Sequence, residues 1–204
     1  MLKVALPKGR MGEKVYAMFE KIGYGCKQMH EDTRRLVFES DNGEVSYILV
    51  KPSDVAIYVE RGAADVGVVG KDTMLETSPD VYEILDLGIG KCRLAVAGKV
   101  GFTDDPNLPL KVATKYPNVT KRYYAQKGRQ IDIIELHGSI ELAPIMGMSD
   151  VIVDIVETGT TLKENNLEVF ETVEQSSARL IANKSSYNLG GERIRKIADG
   201  LEKL

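Results

Sequence analysis

The chain has 204 residues, of which 43% are hydrophobic and 28% charged, so it is long enough to bury a core as one or two domains. Its 27 Lys and Arg residues against 30 Asp and Glu give a net charge of −3, which argues against a general nucleic-acid binder. The sequence has neither the ~18 consecutive apolar residues of a membrane span nor the apolar run of a signal peptide, so we expect a cytoplasmic protein without membrane attachment.

In the first half of the chain, short apolar runs alternate with helical periodicity. The Asn42-Gly43 pair between two apolar runs is typical of a hairpin, and Pro52 is typical of the first turn of a helix. In chain order, we predict a strand at 2–6, a helix at 11–22, a hairpin of 36–39 with 45–50, a helix at 52–61, a strand at 66–69, a short helix at 72–76 and a strand at 82–87.

The second half continues the same alternation. We predict a strand at 93–97, an exposed loop at 99–109, a strand at 111–114, a basic helix capped by Asn118, a strand at 132–136, a helix at 139–146, a strand at 151–156, a short helix, strands at 167–172 and 177–182, and a terminal helix after Gly190-Gly191. Such an order predicts an α/β protein with mostly parallel sheets and with ligands at the carboxyl ends of the strands.

The segment after the predicted strand 151–156 carries the most chemistry. The strand delivers Asp154 and Glu157, and the small residues Thr158-Gly159-Thr160-Thr161 follow before a short helix. Small residues let backbone N–H groups approach a ligand, and a helix start carries partial positive charge, so the pattern favours a phosphate. Because Glu164 stands three residues after Thr161, we predict a capping box with Thr161 as the cap.

Two interpretations of this segment stay open at this point. The spacing matches neither the dinucleotide fingerprint nor the P-loop, and a polar turn before a capped helix, with no ligand, would also explain it. Carboxylates directly before a phosphate loop are unfavourable unless they bind something else, and a ribose diol is the simplest such group. The alternative is therefore a ribose-phosphate site in which Asp154 and Glu157 accept hydrogen bonds from sugar hydroxyls.

A second candidate site lies at Lys8-Gly9-Arg10, between the first strand and the first helix. Ligands of α/β proteins bind at the carboxyl ends of strands, and cations beside a glycine at a helix start favour an anion. A solvated loop is the alternative.

Taken together, seven blocks of the sequence resemble the ATP phosphoribosyltransferase family. They stand in family order and span nearly the whole chain: LPKGR at 6–10, VKPSDVAIYV at 50–59, GAADVGVVGKD at 62–72, KCRLAVA at 91–97, GSIELAP at 138–144, DIVETGTTL at 154–162 and SARLIAN at 177–183. The length resembles the short form of the family, the catalytic subunit without a regulatory domain.

The resemblance implies a reaction and an architecture. The reaction transfers the 5-phosphoribosyl group of phosphoribosyl pyrophosphate (PRPP) to N1 of ATP, releasing pyrophosphate, at the first step of histidine biosynthesis. The architecture is a two-domain α/β fold of the periplasmic-binding-protein type (type II), with the active site in the interdomain cleft. We expect domain I to comprise residues 1–90 with 175–204, and domain II to comprise 91–174 and to carry the PRPP loop.

The resemblance also implies roles for individual residues. The PRPP-binding residues would be Asp154, Glu157, Thr158, Gly159, Thr160 and Thr161. The catalytic cations, which neutralise the polyphosphates, would be Lys8, Arg10, Arg34 and Lys51. The ATP-binding residues would be Lys8, Gly9, Arg10, Asp72 and Glu141. Mg²⁺ would be the cofactor, held mainly by substrate and water, so no residue of the chain is assigned as a metal ligand.

The resemblance further implies partners. Short-form members work with a histidyl-tRNA-synthetase-like regulatory subunit, so we expect a homodimer within a larger hetero-oligomer, weakly active alone and poorly inhibited by histidine. Two other functions stay open: a two-lobed solute-binding or effector-sensing domain without catalysis, and a phosphoribosyltransferase that acts on a free base. Pyrophosphate release from ATP with PRPP distinguishes the first alternative, and turnover with a free base distinguishes the second.

Overall fold

The computed structural model describes residues 1–31 and 34–204. The strands are β1 Leu2–Pro7, β2 Val37–Glu39, β3 Val45–Val50, β4 Val66–Gly70, β5 Tyr82–Asp86, β6 Cys92–Lys99, β7 Leu110–Thr114, β8 Ile131–Glu135, β9 Val151–Val156, β10 Leu167–Ser176 and β11 Ala178–Ala182. The α-helices are α1 Arg10–Phe19, α2 Val55–Glu60, α3 Lys71–Thr77, α4 Pro117–Gln126, α5 Leu142–Ile145, α6 Thr160–Glu164 and α7 Lys184–Glu202. The α/β class predicted from the alternation is confirmed.

The chain divides into two compact units, each built on one sheet. The first unit comprises residues 1–74, 78–90 and 177–204, and the second comprises 75–77 and 91–176. In the described part of the chain, no helix is both long enough and apolar enough to cross a membrane.

The sheet of the first unit has six strands in the order β2-β3-β1-β4-β11-β5. Strand β1 runs parallel to β3 and β4, whereas β11 lies antiparallel between β4 and β5. The carboxyl ends of β3, β1 and β4 therefore lie at one edge. Helices α1 and α7 pack on one face through residues such as Phe19 and Ile194, and α2 packs on the other through Val55 and Val59. Burial of these apolar side chains on both faces is the main source of the unit's stability.

The sheet of the second unit has five strands in the order β10-β6-β9-β7-β8. Strands β9, β7 and β8 are parallel, and β6 is antiparallel to both β9 and β10. Both sheets are therefore mixed rather than mostly parallel as predicted. One face of this sheet carries a core that includes Ala95, Ala97, Ile152 and Leu162, and small alanines there leave space beside β9.

Several elements differ from their prediction in where they begin or end. Asn183, not the Gly190-Gly191 pair, precedes α7: its side chain accepts a hydrogen bond from Ser186 N at 3.0 Å, and Gly190 forms a kink inside the helix at φ −135°. The helical segment predicted at 139–146 is α-helical only over Leu142–Ile145, and the strand predicted at 167–172 extends to Ser176.

Helix α4 begins at Pro117, so Asn118 is inside the helix and does not cap it. The carboxylate of Glu76 takes that role, because it accepts hydrogen bonds from Asn118 N and Val119 N, both at 2.9 Å. The cap comes from a residue 42 positions away, which local sequence reasoning does not reach.

Candidate active site

The turn between β9 and α6 forms the centre of the site in the second unit. Asp154 is half-buried in β9, whereas Glu157 and Thr158 are exposed after the strand ends. Gly159 precedes α6 with φ 78° and ψ 7°, a left-handed conformation that glycine adopts at little cost. The predicted capping box is wrong: Gly159 is the N-cap, no side chain caps the helix, and Thr161 and Glu164 both lie within it.

This turn presents several backbone donors at once. The N–H groups of the first residues of a helix have no acceptor within it, and here the Lys163 N–H is bonded to Gly159 O at 3.1 Å. The backbone N–H groups of Gly159 to Leu162 therefore precede the first hydrogen bond of the helix. The hydroxyls of Thr158 and Thr160 lie 3.0 Å apart on either side of Gly159. Since α6 has only five residues, these donors, rather than a helix dipole, make the turn suited to an anion.

A pocket of about 280 Å³ opens beside the turn. The residues that line it are Ala95, Ala97, Glu141, Ile152, Asp154, Ile155, Val156, Glu157, Thr158, Gly159, Thr160, Thr161 and Leu162. Three of these described residues are carboxylic acids and none is Lys or Arg. The structure thus brings the predicted residues Asp154 and 157–161 together with Glu141.

The Lys8-Gly9-Arg10 loop of the first unit is fixed by two glycines. Gly9 has φ 91° and ψ −168°, a region that is essentially restricted to glycine. Gly12 lets α1 approach β1 so closely that a Cβ atom at Gly12 would lie 1.7 Å from Pro7 O. The Lys8 N–H donates to Val50 O at 2.8 Å, which ties the start of the loop to the end of β3.

A cavity of about 430 Å³ lies beside this loop and gathers three cations. Lys8, Gly9 and Arg34, all predicted from the sequence, line it together with Arg35. Arg35 was not predicted, although its position next to Arg34 in the sequence was a usable signal. The clustering of three cations around one cavity favours a polyanionic ligand.

The other predicted residues of the first unit lie outside this cavity. Arg10 is the first residue of α1 and Lys51 directly follows β3, and both are exposed. Asp72 is 7% exposed in the first turn of α3, where Thr73 Oγ1 donates to its Oδ2 at 3.3 Å. A Cβ atom at Gly70 would lie 2.3 Å from Asp72 Oδ1, so the glycine makes room for this carboxylate. Lys8, Lys51 and Asp72 thus follow three neighbouring parallel strands.

Comparison with known proteins supports a specific function. A family model described as ATP phosphoribosyltransferase matches residues 51–203. A curated protein of Brachyspira hyodysenteriae named ATP phosphoribosyltransferase is 55% identical over 100% of both chains. A protein of the same name from Clostridioides difficile is 52% identical over 100% of this chain and 98% of its own length.

Solved structures agree with these relatives. The ATP phosphoribosyl transferase (HisG:HisZ) complex from Thermotoga maritima has a TM-score of 0.87 at 37% identity, covering 100% of this chain and 97% of that chain. The periplasmic aliphatic sulphonate binding protein SsuA from Escherichia coli has a TM-score of 0.63 at 14% identity, covering 99% of this chain and 71% of its own. The second likeness concerns the fold alone. It confirms the predicted two-part architecture of the periplasmic-binding-protein type.

Proposed function

The chain belongs to the ATP phosphoribosyltransferase family, whose reaction is the first step of histidine biosynthesis, and we propose that the pocket beside the β9–α6 turn is its PRPP site. The observation that carries the proposal is the combination of the backbone N–H groups at Gly159–Leu162, which precede the first helical hydrogen bond, with two carboxylates, Asp154 and Glu157, around one pocket. That combination suits a sugar that carries a phosphate at one end and a diol beside it.

In the proposed complex the N–H groups of the turn bind the 5-phosphate. Asp154 and Glu157 accept hydrogen bonds from the ribose hydroxyls, and charge-assisted bonds of this kind are stronger than neutral ones. Thr158, Thr160 and Thr161 add hydroxyl groups at the rim of the pocket, where all three are exposed.

The cations of the first unit serve the polyphosphates of the two substrates. We assign this role to Lys8, Arg10, Arg34 and Lys51, and extend it to Arg35, which lines the same cavity as Lys8 and Arg34. Gly9 allows the backbone to approach the nucleotide closely. We propose that Asp72 and Glu141 bind polar groups of the nucleotide.

The reaction requires positioning and electrostatic stabilisation rather than a covalent nucleophile. Adenine N1 forms a bond to the anomeric carbon while the bond from that carbon to the pyrophosphate oxygen breaks, with inversion. Positive charge develops on the ribose ring and negative charge on the departing pyrophosphate. Carboxylates near the ring and cations near the phosphates stabilise these charges, and this kind of preorganised environment is a major source of catalysis.

Enzymes of this family depend on a metal, and we propose that the metal is Mg²⁺. The pocket offers carboxylate oxygens from Glu141, Asp154 and Glu157, and oxygen ligands of this kind suit Mg²⁺. No group of three or more His, Cys, Asp or Glu among the described residues is arranged to hold a metal ion. Mg²⁺ is typically bound through one or two carboxylates together with substrate phosphates and water, where it neutralises phosphate charge.

We also propose an assembly and a location. A relative from Thermotoga maritima was solved as a HisG:HisZ complex, and we propose that this chain forms a homodimer within a hetero-oligomer that includes a histidyl-tRNA-synthetase-like regulatory subunit. Neither Cys26 nor Cys92 forms a disulfide, as in a reducing compartment, which agrees with a cytoplasmic location. We propose that the chain is organised in two domains, one of residues 1–90 with 175–204 and one of residues 91–174.

The test is an absorbance assay of the purified chain with ATP, PRPP and Mg²⁺, run with and without the regulatory subunit. We expect N1-(5-phosphoribosyl)-ATP and pyrophosphate in equal amounts, with higher turnover when the subunit is present. Release of pyrophosphate distinguishes the enzyme from a solute-binding domain of similar fold, and adenine in place of ATP should give no product. Absence of turnover in both arms, or turnover with free adenine, would contradict the proposal.

A further inference from the structure

The proposed PRPP pocket lacks a positive side chain of its own. PRPP carries a phosphate and a pyrophosphate, yet the described residues around the pocket include three acids and no Lys or Arg. The backbone donors of the β9–α6 turn suffice for one phosphate. In addition to Mg²⁺ and the cations assigned to the polyphosphates above, a positive side chain of the second unit would lower the cost of placing the pyrophosphate charge near these carboxylates.

Arg93 lies where such a cation is needed. In the register of β6 with β9, Arg93 is opposite Val156 and Ala95 is opposite Asp154. Paired residues and alternate residues along a strand share one face of a sheet, so Arg93 is on the same face as Ala95 and Asp154. This is the face on which the pocket opens. Diagonal neighbours across strands lie about 7–8 Å apart, within reach of a long side chain.

The electrostatic state of Arg93 sets it apart from a structural arginine. Arg93 is half-buried, and its Nε is buried without a hydrogen-bond partner. None of the ion pairs among the described residues includes Arg93. Arg179 in β11 also has a buried Nε without a partner, but its Nη1 lies 3.0 Å from Asp86 and 3.5 Å from Glu83. The charge of Arg179 is thus compensated by Asp86 and Glu83, whereas no carboxylate of the described residues forms an ion pair with Arg93.

We infer that Arg93 binds the pyrophosphate group of PRPP and stabilises it as it departs. This inference rests on the PRPP site proposed above. The pyrophosphate is attached to C1 of the ribose, next to the C2 hydroxyl, so a long cationic side chain on the same sheet face as the carboxylate that accepts from the hydroxyls can reach it. When the C1–O bond breaks, its electron pair stays on the pyrophosphate oxygen. A guanidinium there offers two parallel N–H donors to the phosphoryl oxygens.

The experiment compares three probes on the full-length chain in the presence of Mg²⁺: PRPP, inorganic pyrophosphate and ribose 5-phosphate, which lacks the pyrophosphate. In the Arg93→Gln variant, we expect calorimetry to show PRPP and pyrophosphate bound at least about tenfold more weakly and ribose 5-phosphate within about twofold of wild type. Arg93→Lys should have intermediate affinities for PRPP and pyrophosphate, since lysine keeps the positive charge but lacks the two parallel N–H donors of the guanidinium.

Arg179→Gln is the matched control, because it removes a similarly buried arginine that has carboxylate partners. It should leave the affinity for all three probes unchanged. If Arg93→Gln weakens the binding of ribose 5-phosphate as much as that of PRPP, or weakens the binding of neither, the role of Arg93 is refuted. If the glutamine variant does not fold, the same comparison is made with Arg93→Lys. If ribose 5-phosphate does not compete with PRPP in the wild type, the proposed site itself is wrong, which is a separate outcome.

Discussion

The close approach of α1 to β1 at Gly12 gives a sharp test of how the first unit positions its cations. In a Gly12→Ala variant the new Cβ atom would lie 1.7 Å from Pro7 O and 3.0 Å from Pro7 C. Non-bonded heavy atoms attract at about 3.5–4.0 Å, so α1 must move away from the strand. No rotamer change relieves the contact, because both atoms are fixed by the backbone.

The expected cost follows from two opposing effects. Overpacking of a buried position costs about 1–3 kcal/mol, and a backbone obstacle places this case at the upper end. Alanine recovers about 1 kcal/mol through its higher helix propensity. We expect a net loss of about 2 kcal/mol in the free energy of unfolding, or a fall of roughly 4–8 °C in melting temperature at this chain length.

Thermal unfolding followed by circular dichroism measures this loss, and Gly200→Ala is the matched control. Gly200 also lies in a helix, but its added Cβ atom would meet only Ile22 side-chain atoms at 3.4–3.5 Å, an ordinary contact. The control should be as stable as wild type or slightly more stable. Displacement of α1 should also raise KM for ATP more than KM for PRPP, because the loop with Lys8 begins this helix. A Gly12→Ala variant that melts at or above the wild-type temperature would refute the reasoning.

Three further predictions concern the site and the core. Asp154→Asn and Thr161→Val should raise KM for PRPP, by about 10- to 100-fold for the aspartate, and leave KM for ATP nearly unchanged; equal changes for both substrates in steady-state assays would contradict the assignment. Lys8→Ala should lower turnover at least about tenfold while denaturant titration shows a free energy of unfolding within about 0.5 kcal/mol of wild type, because Lys8 is exposed. Burial raises the pKa of the Tyr47 phenol, which donates to Tyr24 O at 2.6 Å. The neutral phenol therefore stabilises the fold fully below the unfolded pKa of about 10, and this contribution is lost as the pH rises above that value. At alkaline pH, the melting temperature should therefore fall more steeply with pH for wild type than for Tyr47→Phe. An equal pH dependence of the two melting temperatures would contradict this prediction.

Element types were largely readable from the sequence, because periodicity and turn residues are local signals. The hairpin at Asn42-Gly43 and the strand Val151–Val156 are examples, and both occur where predicted. Interactions from distant residues were not readable. Glu76 replaces Asn118 as the cap of α4, and only the folded chain brings Glu76 to the first turn of that helix.

The candidate site shows the same division. The segment from Asp154 to Thr161 is contiguous, so its chemistry could be recognised from the sequence. The geometry of its turn was mispredicted, because the left-handed Gly159 is the N-cap of α6, two residues before the expected cap Thr161. Arg93 was outside the prediction, since its relation to Asp154 depends on the antiparallel register of β6 and β9 and not on sequence spacing.

The place of β11 has a consequence for how this protein is made. Strand β11 lies between β4 and β5, although residues 87–177 separate it from β5 along the chain. On a ribosome, residues 91–176 emerge before it, so the second sheet receives all its strands while the first still lacks one from its interior. During that interval β4 has an unpaired edge and β5 lacks its partner strand in the sheet, a state prone to association with other nascent chains. A premature stop before residue 178 would leave that gap permanently open.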